Sequence, residues 1–290
     1  MVAAAVVRGF APATTDISFF RAKSARVMEI DASANMGRAE AVLGDPQRCA
    51  LFIDIDGTLL GMAPTPDAVK VPPRLVPLLA ELVDQLGGAM ALLTGRRIAN
   101  ADRLFYPLRL VASGVHGTEL RRERDGQIAA LAPSLSPAVV AAIDEVGCLA
   151  EGILVERKGS GMAVHYRDAP SARQTLQSRL EAVVAASEDL VLRQGRMVLE
   201  IGPRAYSKGS SLAFLATRPP FAGRRPIMVG DDVADESALV EAERLGGVAL
   251  RVAGEHFSRE TADFDGVRSV HAWLEALAAA LRANGRVGAA

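Results

Sequence analysis

From residue 50 onward, short apolar runs alternate with stretches in which apolar residues recur at helical spacing. This alternation is typical of a parallel β-sheet whose strands are linked by helices. The first of these helices is predicted to begin after Pro72 and to end at Gly87. The apolar runs predict core strands at residues 50–55, 89–93, 108–112, 224–229 and 248–252.

The pattern changes between residues 123 and 204. A turn at Gly159-Ser160-Gly161 is predicted to join two strands into a hairpin within residues 152–167. The other elements predicted there are helices at 138–150 and 172–186 and strands at 190–193 and 197–201. Together these elements predict a βαβ-like insert.

The sheet pattern returns after the insert, and a last helix carrying Trp273 is predicted with Ser269 as its N-cap. The predicted fold class is therefore α/β. A Rossmann-like parallel-sheet core occupies residues 44–122 and 205–290, and a smaller α/β domain is inserted at residues 123–204. Residues 1–43 are expected to be a poorly ordered N-terminal extension. A signal or transit peptide and an over-long start-site assignment are alternatives for this segment.

The composition indicates a globular protein that acts on small molecules. Half of the 290 residues are hydrophobic, and 33 basic against 34 acidic residues leave a net charge of −1. This balance makes no electrostatic case for nucleic acid or an anionic membrane. Cys49 and Cys148 form no zinc or disulfide pattern and are expected to be buried, reduced thiols. No apolar run approaches the roughly 18 to 20 residues that span a bilayer.

The first predicted strand ends in Asp54-Ile55-Asp56-Gly57-Thr58. Two carboxylates at this spacing repel each other unless a cation neutralises them, and oxygen ligands of this kind suit Mg²⁺. One carboxylate can then attack an electrophile while the other moves a proton. For an isolated motif, the alternative is that Asp54 and Asp56 cap a helix or shape a turn.

Further polar residues follow other predicted core strands. Thr94 follows the second strand, and Asp231 begins an acidic segment after the strand at 224–229. Because ligands bind beyond the carboxyl ends of parallel strands, these residues are expected to share one edge with Asp54. The acidic segment would repel itself without a cation. The candidate metal ligands are Asp54, Asp56 through its backbone carbonyl, Asp231, Asp232 and Asp235.

Phosphoryl transfer needs a nucleophile, an acid for the leaving oxygen, a cation and donors to the phosphoryl oxygens. Asp54 is the predicted nucleophile, and Asp56 is the predicted proton donor and acceptor. Thr94 is expected to donate its hydroxyl and backbone N–H to the phosphoryl group, and Lys208 to neutralise charge and restrain Asp54. Taken singly, Thr94 could mark a strand-end turn, and Lys208 could be a solvated helix start.

The order of these segments resembles the haloacid dehalogenase (HAD) superfamily of phosphotransferases, in which the first aspartate of D-x-D-x-T is the nucleophile. Within that superfamily, residues from 51 to the final helix are similar to trehalose-6-phosphate phosphatases. The segments that carry this resemblance are Thr94-Gly95-Arg96, His116-Gly117-x-Glu119 and Gly230-Asp231-Asp232-x-x-Asp235-Glu236. The resemblance implies an Mg²⁺-dependent phosphoric monoester hydrolase that converts trehalose 6-phosphate to trehalose. We expect it to be a cytoplasmic monomer.

The resemblance also implies substrate contacts, most of them from the inserted domain. Position 196 holds Arg where Lys would also fit the pattern. For single strand residues such as Glu156 and Lys158, an exposed sheet face is an equally good interpretation. The residues matched to substrate contacts are Arg96, His116, Gly117, Glu156, Lys158, Arg167, Arg196 and Glu200.

Other functions stay open at this point. A phosphatase for sucrose phosphate or mannosyl-3-phosphoglycerate would share the core and the insert, and a phosphomutase would pass the phosphoryl group to a second sugar hydroxyl. A non-enzymatic carbohydrate sensor is disfavoured because it would need neither Asp54 nor Asp56.

Overall fold

A computed structural model describes residues 32–63 and 68–287. The described part contains a larger core and an inserted smaller sheet. The core elements, in chain order, are α1 (Ala32–Gly44), β1 (Cys49–Ile53), α2 (Leu75–Gln85), β2 (Met90–Leu93), α3 (Ile98–Leu104), β3 (Val111–Gly114), β4 (Glu119–Arg121) and β5 (Ala129–Ala130). After the insert they are α6 (Lys208–Ala216), β10 (Arg225–Gly230), α7 (Glu236–Arg244), β11 (Val248–Arg251) and α8 (Val267–Val287).

The core sheet has the strand order β11-β10-β1-β2-β3-β4-β5. The pairs from β11 to β3 are parallel, and β4 and β5 add an antiparallel edge. Every residue of β1 is buried, as expected for a parallel strand covered on both faces. The parallel core is thus confirmed. The edge strands β4 and β5 were not predicted, because each is too short to show a strand periodicity.

The N-terminal part of the core contains a helix that the sequence did not suggest. Helix α1 packs against α8, with Ala39 and Val42 buried. The indole Nε1 of Trp273 donates a hydrogen bond to the Ala39 carbonyl at 3.1 Å. The poorly ordered extension expected over residues 1–43 therefore does not reach residue 43, and its first 31 residues lie outside the described part of the chain.

Two other local expectations were wrong. Helix α8 begins at Val267, so Ser269 lies in its first turn, where its hydroxyl donates to the Gly266 carbonyl at 2.8 Å. Cys49 is buried as expected, but Cys148 is exposed. Cys148 directly follows a helix that ends at Gly147, and this helix end faces solvent.

The insert consists of α4 (Pro137–Gly147), β6 (Leu154–Arg157), β7 (Met162–His165), α5 (Arg173–Ala185), β8 (Leu190–Gly195) and β9 (Val198–Pro203). Its sheet has the order β6-β7-β9-β8. All three strand pairs are antiparallel, so the insert is built from two hairpins and is not the βαβ unit that the sequence suggested. It buries its own apolar cluster, which includes Ile143, Leu176 and Leu199.

Within the described ranges, no helix is both long enough and apolar enough to cross a bilayer.

Candidate active site

The carboxyl ends of three parallel strands bring the predicted catalytic residues together. Ile53 of β1 pairs with Val229 of β10 and with Leu92 of β2. The next residues along β1 and the first residues beyond β2 and β10 therefore lie at one edge of the sheet. The backbone N–H of Asp54 donates to the Val229 carbonyl at 3.0 Å, which fixes the start of the loop.

Lys208 connects the nucleophile candidate to the acidic segment. It is the first residue of α6, and its Nζ lies 2.6 Å from Oδ1 of Asp54 and 2.6 Å from Oδ1 of Asp235. All three residues are buried. Burial lowers the pKa of Lys208, but the charges of Asp235 and Asp54 outweigh this effect and raise it. Lys208 therefore stays an ammonium and holds the two carboxylates in place.

Three carboxylates converge here around that single ammonium. Asp54, Asp231 and Asp235 each place one oxygen within 4.8 Å of the others. Burial raises the pKa of Asp54 well above its usual range, and Asp235 and Asp231 add to the effect while Lys208 opposes it. Burial, together with the charge of Asp235, raises the pKa of Asp231 to about 7. Full ionisation of the three carboxylates is therefore unfavourable unless a further positive charge joins Lys208.

The acidic residues differ in their hydrogen-bond partners. Asp235 uses Oδ1 for Lys208 and Oδ2 for the backbone N–H groups of Asp231 and Asp232, each at 3.1 Å. Asp232 accepts from the Val233 N–H at 2.7 Å and caps a short 3₁₀ turn. Asp235 and Asp232 therefore shape the loop. Within the described ranges, Oδ2 of Asp54 and Oδ2 of Asp231 accept no hydrogen bond.

Glycine is required where the first loop passes the acidic cluster. Gly57 has φ +92°, and a Cβ at this position would lie 2.0 Å from Oδ2 of Asp231. The next residue, Thr58, donates its hydroxyl to Oδ1 of Asp231 at 2.9 Å. The Gly-Thr pair of the sequence motif thus brings the backbone against Asp231 and orients it.

Asp56 is held by Arg96, which the sequence assigned to substrate binding. The Arg96 guanidinium donates to both carboxylate oxygens of Asp56 at 2.6 Å, from Nε and from one terminal nitrogen. Both side chains line the cavity described below. The bidentate pair fixes the orientation of Asp56.

Thr94 has fewer free hydrogen-bond donors than expected. Its backbone N–H donates to the Ser113 carbonyl at 2.9 Å, so the expected donation of this N–H to a phosphoryl group is not available. Its hydroxyl oxygen accepts from the Arg96 N–H at 3.1 Å. Thr94 is buried and its hydroxyl proton is the one donor left.

A cavity of about 570 Å³ lies beyond this sheet edge and is lined by residues of both the core and the insert. Thr94, Gly117 and Asp235 stay outside its lining. The predicted site residues that line it are Asp54, Asp56, Arg96, His116, Glu156, Lys158, Arg167, Arg196, Glu200, Lys208, Asp231 and Asp232.

Glu200 links the insert to the core across this cavity. Its Oε1 accepts from Lys158 and its Oε2 lies against Nε2 of His116, both at 2.5 Å. Lys158 also donates to the Gly95 carbonyl at 3.1 Å. Burial would raise the pKa of Glu200, but His116 and Lys158 outweigh it and lower the pKa well below its usual range. Glu200 is therefore a carboxylate at neutral pH.

Glu156 lies on the other side of Lys158, at 3.8 Å from its Nζ. Its Oε2 is 3.1 Å from Nε2 of His165. Burial raises the pKa of Glu156, but the His165 hydrogen bond and Lys158 outweigh this effect and lower it. His165 also lines the cavity and was not among the predicted site residues. Its place two residues before Arg167 on a short strand was the available signal.

Three other predicted substrate contacts have protein partners in this structure. Arg167 donates to the Ala63 carbonyl. Arg196 forms an ion pair with Glu255, with 2.7 Å between Nε and Oε1. Gly117 packs against backbone, because a Cβ there would lie 2.8 Å from the Ser207 carbonyl oxygen. Gly117 is therefore a close-packing residue here.

Solved phosphatase structures share this fold. A Bacteroides thetaiotaomicron phosphatase of the haloalkanoate (HAD) enzyme superfamily shares it with a TM-score of 0.52 at 17% identity, over 82% of this chain and 96% of that chain. The C-terminal domain of Candida albicans trehalose-6-phosphate phosphatase shares it with a TM-score of 0.72 at 19% identity, over 86% and 98% of the two chains.

The sequence comparison is more specific than the fold. The model of the Trehalose-phosphatase family matches residues 52–268, and the chain belongs to that family. It is 42% identical over 232 residues to a Sinorhizobium fredii protein named "Probable trehalose-phosphate phosphatase", covering 75% of this chain and 86% of the relative. It is 35% identical over 235 residues to the Escherichia coli trehalose-6-phosphate phosphatase, covering 80% and 88%. The predicted family and the class of phosphoric monoester hydrolase are confirmed.

Proposed function

We propose that this chain hydrolyses trehalose 6-phosphate to trehalose and inorganic phosphate, with Asp54 as the nucleophile. The observation that carries the proposal is the pairing of Asp54 with Lys208 in a cavity that charged residues of the insert also line. The Escherichia coli and Sinorhizobium fredii relatives bear names for the same activity.

In the first step, an Asp54 oxygen forms a bond to phosphorus as the bond from phosphorus to the sugar oxygen breaks. Asp56 gives a proton to the departing sugar oxygen. In the second step, Asp56 takes a proton from water, which hydrolyses the aspartyl-phosphate and restores Asp54. Because both Asp56 oxygens accept from Arg96, Asp56 has to exchange at least one of these bonds for the leaving oxygen.

The insert is proposed to act as a cap that recognises the sugar. A sugar presents many hydroxyl groups, so its site needs both acceptors and donors. Glu156 and Glu200 provide carboxylates that are ionised at neutral pH, and Lys158 provides an ammonium between them. Arg167 and Arg196 can turn from their present partners to the sugar. Closure of the cap would exclude bulk water during the transfer.

The acidic edge fits a divalent cation such as Mg²⁺. Three carboxylates surround one ammonium, and Oδ2 of Asp54 and Oδ2 of Asp231 are left without a donor among the described residues. We propose that Asp54, Asp231 and the backbone carbonyl of Asp56 hold the ion, with Asp232 and Asp235 shaping the loop. A bound Mg²⁺ would supply positive charge to the phosphoryl oxygens.

Phosphate release from a panel of phosphate esters tests the proposal. The panel contains trehalose 6-phosphate, sucrose 6-phosphate, glucose 6-phosphate and mannosyl-3-phosphoglycerate, each with Mg²⁺, and Asp54→Asn is the control variant. We expect strong preference for trehalose 6-phosphate and no release by the variant. Preference for another ester would overturn the proposed substrate but would remain consistent with the proposed mechanism. Phosphate release by Asp54→Asn at the wild-type rate would overturn the assignment of Asp54 as the nucleophile.

A further inference from the structure

Glu119 belongs to the His116-Gly117-x-Glu119 motif, yet it does not line the cavity. It is the first residue of β4 and is buried. One carboxylate oxygen accepts from the Ile98 backbone N–H at 2.8 Å, and the other accepts from Nε of Arg97 at 3.0 Å. Two hydrogen bonds to a buried carboxylate hold its side chain in one position.

These contacts hold the beginning of helix α3. The N-cap residue of α3 is Arg97, whose side chain makes no capping hydrogen bond. Glu119 therefore provides, from a neighbouring strand, the acceptor that an N-cap side chain usually provides. A negative charge is also favoured at a helix N-terminus.

Arg96, the partner of Asp56, directly precedes this N-cap residue. The Arg96 backbone N–H donates to the Thr94 hydroxyl at 3.1 Å, and its carbonyl accepts from the Val115 N–H at 2.9 Å. With Glu119 holding Arg97 and Ile98, the main chain of Arg96 is anchored on both sides. This anchoring restricts the orientation in which the Arg96 guanidinium contacts Asp56.

A second contact from β4 braces the same helix. Arg121, two residues after Glu119 and so on the same face of the strand, is fully buried. Its two terminal nitrogens donate to the Asp102 carboxylate in α3 at 2.7 and 2.6 Å. Strand β4 thus holds α3 at its first turn and again in its interior.

We propose that Glu119 is a positioning residue that acts through Arg96: it anchors the start of α3 so that the guanidinium holds Asp56 in the orientation that proton transfer needs. The proposal rests on the proposed function, because it assumes that Asp56 moves the proton. It assigns Glu119 a role in turnover, and the residue itself touches neither the cavity nor the reacting atoms.

Glu119→Gln tests this role with little change of side-chain size. The amide nitrogen cannot accept a hydrogen bond, so one of the two donors loses its partner. We expect kcat to fall about tenfold, with KM for trehalose 6-phosphate within about twofold of wild type, as for a small displacement of a catalytic group. Glu123→Gln is the matched control, because Glu123 is exposed in the same segment and its carboxylate contacts no described residue.

A double-mutant cycle separates positioning from a general loss of structure. In an Arg96→Ala background, Glu119→Gln is expected to cause no further loss of kcat, since the group that it positions is gone. An equal loss in both backgrounds would overturn the proposal, as would unchanged turnover in the single variant. If Glu119→Gln fails to fold, Glu119→Asp, which keeps the charge but retracts it by one methylene, takes its place in the cycle.

The choice of substrate distinguishes this proposal from the proposed function. If the wild-type protein does not release phosphate from trehalose 6-phosphate, the proposed substrate fails, and the same cycle is measured with p-nitrophenyl phosphate. Coupling between Glu119 and Arg96 with that ester would still support the positioning role.

Discussion

The ammonium of Lys208 lies 2.6 Å from Oδ1 of Asp54, although 154 residues separate them along the chain. The insert enters and leaves the core between these two residues. Asp54 follows the first core strand, and Lys208 begins the first core helix after the insert. The contact therefore joins the two halves of the core at the carboxylate that we propose as the nucleophile.

Replacing this lysine should abolish turnover and weaken the fold. In Lys208→Met, Asp54 and Asp235 lose their shared cation, and the loss of one partner from a buried charged pair costs about 3–5 kcal/mol. We expect phosphate release to fall by at least roughly 100-fold, as for loss of a preorganised charge. Phosphate release and urea unfolding are the measurements. Lys70→Met, at an exposed lysine, is the control, and turnover near the wild-type rate in Lys208→Met would contradict the assignment.

Gly57→Ala should disrupt the proposed cation site without removing any charged group. The new methyl carbon would lie 2.0 Å from Oδ2 of Asp231, so that carboxylate has to move. Gly223→Ala is a matched control, because Gly223 also has a positive φ but nothing within 4 Å of a Cβ. Both variants pay the backbone strain of about 1 kcal/mol. Weaker Mg²⁺ binding by calorimetry is expected in Gly57→Ala alone, and equal affinities in both variants would refute this reading.

The position of the active site could be predicted from the sequence because sheet topology determines it. Asp54, Thr94 and Asp231 each follow an apolar run, and the ends of parallel strands meet at one edge. The same logic could not find β5, whose two alanines carry no strand periodicity, nor α1, which lies in a segment without visible chemistry.

The partners of the charged residues were not predictable in the same way. A sequence motif states which groups are present, whereas a hydrogen bond depends on distances of a few tenths of an ångström. The sequence suggested neither the contact of Arg96 with Asp56 nor the ion pair of Arg196 with Glu255, which comes from a loop with no recognised motif. His165 was missed because its spacing from Arg167 is a weak signal on a strand of only four residues.

Glu200 should distinguish the sugar ester from a simple phosphate. Its carboxylate contacts His116 and Lys158 and not Asp54, so its loss is expected to affect the proposed sugar site more than the phosphoryl site. We expect Glu200→Ala to lower kcat/KM for trehalose 6-phosphate by at least roughly 100-fold, in the range for loss of a buried polar contact. Activity on p-nitrophenyl phosphate should fall much less.

The control for this comparison is Glu188→Ala, which removes an exposed carboxylate from the same insert. It should leave both activities near the wild-type level. Equal losses on the two esters in Glu200→Ala would remove Glu200 from the sugar site and assign it to holding the insert against the core.

The raised pKa of Asp231 predicts how the stability of the metal-free protein depends on pH. Burial, with the charge of Asp235, raises this pKa from its usual 3.8 to about 7, while the Thr58 hydrogen bond and Lys208 oppose the shift. Between these two values the folded protein binds a proton that the unfolded chain has released. Protonation of Asp231 therefore stabilises the fold fully below the lower value, and this contribution is lost as the pH rises through the upper one.

A divalent cation should reverse this loss, because it binds the ionised carboxylate. At about pH 5 the cation has to displace a proton from Asp231, whereas at about pH 8 it does not. We expect Mg²⁺ to raise the unfolding midpoint more at the higher pH, measured by thermal unfolding against a chelator-treated sample. In Asp231→Asn, both the fall in stability between these pH values and the Mg²⁺ effect should shrink. An Mg²⁺ effect that is the same at both pH values would show that Asp231 is not a ligand.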